Sequence, residues 1–72
     1  FMDDEEPIRE MAEMFITRLG AEFTGVADGA AAIEAYQQAR ALGRPYDVVV
    51  MDLTVPGGMG GREAMQKLLA LD

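Results

Sequence analysis

Val48-Val49-Val50-Met51-Asp52-Leu53-Thr54-Val55-Pro56 decides how the rest of the chain is read. Four apolar residues in a row, with no polar alternation, predict a strand buried on both faces, as in a parallel sheet covered by helices. The run stops at one acid, Asp52. A carboxylate at the carboxyl end of a buried parallel strand occupies the edge where α/β sheets place their functional groups.

Working outward, the segments on either side read as helices. Upstream, Ile8, Met11, Ala12, Phe15, Ile16 and Leu19 recur at helical spacing and form one apolar stripe over residues 7–19. Pro7 suits a first helical turn, Glu5 and Glu6 suit the positive end of the helix dipole, and Gly20 suits the far end. Residues 22–27 are short and of mixed polarity, which fits an edge strand. Asp28-Gly29 then turns the chain into an alanine-rich helical segment reaching Leu42, with Ala32, Ile33, Tyr36 and Ala39 as a narrow buried face. Downstream, residues 62–71 are a third helical pattern, with Ala64, Met65, Leu68, Leu69 and Leu71 available for packing. Phe1-Met2 reads as the end of a strand. The methionines Met11, Met14, Met51, Met59 and Met65 read as core filler, and Arg9, Arg18, Arg40, Arg44 and Arg62 as surface charges, with Arg62 alone near the acids.

Strand and helix alternating in this way imply right-handed crossovers and a parallel α/β sheet. Asp3 and Asp4 follow the first strand and Asp52 ends the third. If the first strand lies between the other two, the strand order is 2-1-3 and the three acids meet at one edge.

Composition narrows the chemistry. The 72 residues make at most one small domain and hold neither cysteine nor histidine, so thiolate chemistry and imidazole catalysis are excluded. Thirteen acids against six basic residues give a net charge of −7, which argues against nucleic acid or an anionic membrane as direct partner. The longest apolar run is far too short to span a bilayer. A cytoplasmic protein is expected.

Three gathered carboxylates repel one another unless one is protonated or a cation neutralises them. Oxygen ligands suit Mg²⁺, and such a site suits phosphoryl chemistry in which Asp52 attacks phosphorus and becomes an acyl phosphate. The backbone carbonyl of Thr54, two residues on, would be a neutral fourth ligand. The glycine-rich loop Pro56-Gly57-Gly58-Met59-Gly60-Gly61 has neither the P-loop ending nor the dinucleotide-binding spacing.

Asp3-Asp4-Glu5 after an apolar strand end, Asp28-Gly29 before an alanine-rich helix, and Val-Val-Val-Met-Asp52 followed by Leu-Thr-Val-Pro56 together resemble the receiver domains of two-component signalling. The resemblance covers nearly the whole chain. It implies a flavodoxin-like, three-layer αβα fold, of which residues 1–72 would be a partial domain with about three strands and three helices. It also implies that Asp52 is the phosphoacceptor and that Asp3, Asp4, Asp52 and the Thr54 carbonyl hold Mg²⁺. The donor would be a histidine kinase or phosphotransfer domain. The loop is most similar to receivers of hybrid sensor histidine kinases, and either Gly60 or Gly61 can match the family's loop glycine. The switch Ser/Thr and the Lys of the family's fourth and fifth strands have no counterpart here. Without those strands the 48–51 segment would be a bare edge, open to self-association. Two other readings are a haloacid-dehalogenase-like phosphoaspartyl hydrolase, which would want a second acid where Thr54 stands, and an unphosphorylated association scaffold.

Overall fold

The computed structural model describes residues 1–52 and 55–71. Three helices form: α1 is Glu6–Arg18, α2 is Gly29–Ala41 and α3 is Gly61–Leu71. Their ends follow the expected local chemistry. Pro7 lies in the first turn of α1, and beyond its Leu19 cap the amides of Gly20 and Ala21 donate to the carbonyls of Thr17 and Ile16. Asp28 caps α2, its Oδ1 accepting from the Ala31 amide at 2.9 Å.

The expected strands are much reduced. Among the described residues no multi-residue strand forms; two isolated parallel bridges join Met2 to Val26 and Met2 to Met51. The hydrogen bonds leave the central segment on opposite edges. Met2 donates to the Val50 carbonyl at 2.8 Å and accepts from the Asp52 amide at 3.0 Å. Toward the other side, Asp3 donates to Val26 at 3.1 Å and Phe1 accepts from Val26 at 3.0 Å. Pairing on both sides runs through the same three residues, Phe1 to Asp3, and among the described residues each side is a single bridge.

Met2 is the centre of the core at 1% exposure, with Ala32 and Val55 buried beside it and Val26 and Met51 half-buried around it. Helices α2 and α3 pack together: Gly29 faces Ala64, and Ala64 and Leu68 present the buried stripe of α3. Along α2, Ala32 is buried and Ile33, Tyr36 and Ala39 are half-buried, as their spacing predicts.

Several burial expectations fail. Val48 is 75% exposed and Val50 is also exposed, so the 48–51 run is not covered on both faces. Helix α1 has no fully buried residue; Ile8, Ala12 and Ile16 are half-buried, while Met11, Phe15 and Leu19 are exposed. Met14, Met65, Leu69 and Leu71 are exposed as well, so these methionines are not core filler. The described residues form a body whose shortest extent is 13 Å, hardly more than one helix diameter of about 10–12 Å, and it has little interior to offer. No helix among the described residues is long and apolar enough to cross a membrane.

Candidate functional site

The bridges on Met2 bring the two ends of the sequence argument together. Asp3 follows Met2 directly, and Asp52 follows Met51, its bridge partner, so both carboxylates emerge at the same edge. One carboxylate oxygen from each of Asp3, Asp4 and Asp52 lies within 4.8 Å of the others. Asp3 and Asp52 are half-buried and Asp4 is exposed. Asp3 is oriented by its own turn, its Oδ1 accepting from the Glu5 amide at 2.9 Å. Thr54 lies outside the described residues.

The donor set suits a hard cation. At this spacing each carboxylate pair repels by about 1 kcal/mol in a water-like medium, and by about 3–4 kcal/mol at an effective dielectric near 20. Mg²⁺ is a hard ion that prefers oxygen ligands and is commonly held by one or two carboxylates together with water. Asp3, Asp4 and Asp52, each offering one oxygen within 4.8 Å of the others, are a donor set of that kind.

The loop after Asp52 is built around close backbone contacts. Val55-Pro56-Gly57-Gly58 closes as a turn, the Gly58 amide donating to the Val55 carbonyl at 3.2 Å. Gly57 takes φ +74°, the left-handed conformation that a turn with proline in its second position asks of the third. Gly61 then opens α3 by donating to the Asp52 carbonyl at 2.7 Å. A Cβ on Gly61 would strike that same carbonyl oxygen, so this position approaches the phosphoacceptor candidate too closely for any side chain. Of the two glycine registers left open by the sequence, this geometry favours Gly61. A second tie runs from the Gly29 amide to the Met59 carbonyl at 2.8 Å, fastening the loop to the start of α2.

One residue near the acids was misread from sequence. Arg9, which reads as a surface charge, is half-buried and its Nη1 donates to the Asp3 carbonyl at 2.7 Å, so Arg62 is not the sole cation near the acids. A backbone carbonyl as partner leaves no signature in sequence. Helical spacing, which puts Arg9 one turn after Glu5, was the available hint.

No curated protein and no solved structure matches the chain. The family model of the response regulator receiver domain matches residues 1–72. With the match spanning the whole chain, the protein belongs to the response regulator receiver domain family.

Proposed function

We propose that this chain is the phosphoacceptor module of a two-component phosphorelay, with Asp52 as the nucleophile. The observation that carries the reading is the gathering of Asp3, Asp4 and Asp52 within 4.8 Å, from segments almost fifty residues apart in sequence. Asp3, Asp4, Asp52 and the Thr54 carbonyl would hold Mg²⁺. A bound Mg²⁺ supplies charge neutralisation and polarises phosphoryl oxygens. The two bridges on Met2 support a parallel sheet in the order 2-1-3, and residues 1–72 are read as one unit of the flavodoxin-like receiver fold.

In the transfer, a carboxylate oxygen of Asp52 attacks the phosphorus of a phosphohistidine on a histidine kinase or phosphotransfer domain. The O–P bond forms as the P–N bond breaks, the electron pair leaves with the imidazole, and Asp52 becomes an acyl phosphate. The backbone of Asp52 is held on both sides, its amide donating a hydrogen bond to the Met2 carbonyl and its carbonyl accepting one from the Gly61 amide, so the nucleophile is anchored. The added dianion then has new hydrogen-bonding and repulsive demands, which the adjoining loop and α3 feel first. Phosphohistidine donors draw on ATP, which fits a cytoplasmic setting.

Mass measurement of the full-length protein after incubation with Mg²⁺ and a small acyl-phosphate donor tests this. One added phosphoryl group is expected, dependent on Mg²⁺ and absent in Asp52→Asn. Equal phosphorylation of Asp52→Asn overturns the assignment, and sustained turnover of phosphate esters points to the hydrolase instead.

A further inference from the structure

We infer that Arg9 is a positioning residue for the acidic pocket: by gripping the main-chain carbonyl of Asp3, it keeps the Asp3–Asp4 turn in the conformation that gathers the three carboxylates. The inference rests on the phosphoacceptor reading above and extends it to a residue on α1.

The argument begins with an oddity of partner choice. Arg9 lines a groove together with Glu6, Glu10 and Glu13, so carboxylates are close at hand. Among the described residues its guanidinium nevertheless forms no ion pair and donates to a neutral carbonyl, at 2.7 Å in a part-buried position. That carbonyl belongs to the first acid of the pocket. The turn it grips has few other restraints. The Asp3 amide is tied to Val26 at 3.1 Å, and the Asp3 carboxylate to the Glu5 amide at 2.9 Å. Helix α1 begins without a side-chain cap, so its own first turn adds no such hold on the acids. Arg9 thus supplies the side-chain link from α1 to the backbone that aims Asp3 and Asp4. Its stem runs past Gly25, where a Cβ would sit 3.7 Å from Arg9 Cδ.

Two effects of Arg9 on a bound cation have opposite signs. Its positive charge opposes a divalent ion nearby. Its hydrogen bond holds the ligands in place, and groups that orient metal ligands are commonly worth about tenfold or more in affinity. The sign of a substitution therefore separates positioning from simple charge.

Mn²⁺ binding to the full-length protein, read by the electron-spin resonance of the free ion, provides the test. Arg9→Met should weaken Mn²⁺ binding about tenfold, and speed hydrogen exchange at the Glu5 amide while leaving the amides of α2 unchanged. Arg9→Lys, which keeps a donor on a long stem, should recover most of the affinity. Unchanged or tighter binding in Arg9→Met, with normal binding by the parent, overturns the inference alone. Exchange that accelerates equally in α2 and α3 also overturns it, because the residue would then be merely structural. A parent protein that binds no Mn²⁺ removes the phosphoacceptor reading, and this inference falls with it.

Discussion

Met2 and Leu19 are both large, flexible and apolar, yet one is 1% exposed and the other 84%. Around Met2 three segments of chain converge. It is bridged to Val26 and Met51 and packed with Ala32 and Val55, and the Asp52 carbonyl closes on Gly61 with no space for a methyl group. Around Leu19 a single helix carries an apolar stripe of good periodicity that nothing among the described residues buries fully. Full burial of a methionine side chain is worth about 2–3 kcal/mol, whereas a side chain left in water contributes close to nothing. Convergence of segments, rather than the apolarity of any one of them, decides where this chain stores stability. The acidic pocket stands directly beside the converged region, Asp3 following Met2 and Asp52 following Met51.

The comparison breaks most readily at its strong end. Met2→Ala should lower unfolding stability by about 3 kcal/mol, since it opens a cavity where Val26, Ala32, Met51 and Val55 meet. Urea denaturation of the full-length protein measures it, and a loss below about 1 kcal/mol would show that the joint collapses without harm. Gly61→Ala should cost somewhat less, about 2 kcal/mol, as the new methyl pushes on the Asp52 carbonyl. Here the more telling readout is divalent-ion affinity. Displacing the Asp52 backbone moves its carboxylate away from Asp3 and Asp4, so affinity should fall together with stability. Gly58→Ala, where a Cβ would make only ordinary contacts at 3.6 and 3.7 Å with Val55 and Asp28, is the control and should leave ion affinity unchanged.

What could be read from residues alone divides along the same line. The meeting of Asp3, Asp4 and Asp52 followed from connectivity, because parallel crossovers send the strand ends to one edge whatever the details of packing. Helix ends were legible too, since Asp28 and Gly20 act through local hydrogen bonds. Burial was not. Val48 and Val50 belong to an unbroken apolar run, but whether a face is covered depends on neighbours the run does not encode. Met2 reads as the end of a strand and its place at the centre of the core is not legible, because a single residue gives no periodicity to read. The role of Arg9 is hidden for a related reason: its partner is backbone, which every residue possesses.

The smallest expected effect sharpens the comparison from its weak end. Leu19→Gln should change stability by less than about 0.5 kcal/mol, as substitutions at exposed positions away from special features generally do. Leu19 is the C-cap residue of α1, and its amide donates to Phe15 and Ile16, bonds that glutamine's backbone makes equally well. The substitution therefore removes apolar surface without removing a cap. If urea denaturation of the full-length protein instead shows a loss above about 2 kcal/mol, Leu19 is covered in solution, and the apolar stripe of α1 belongs to a contact rather than to solvent. Divalent-ion affinity should not change in either case, because α1 reaches the acids through Arg9 and not through this face.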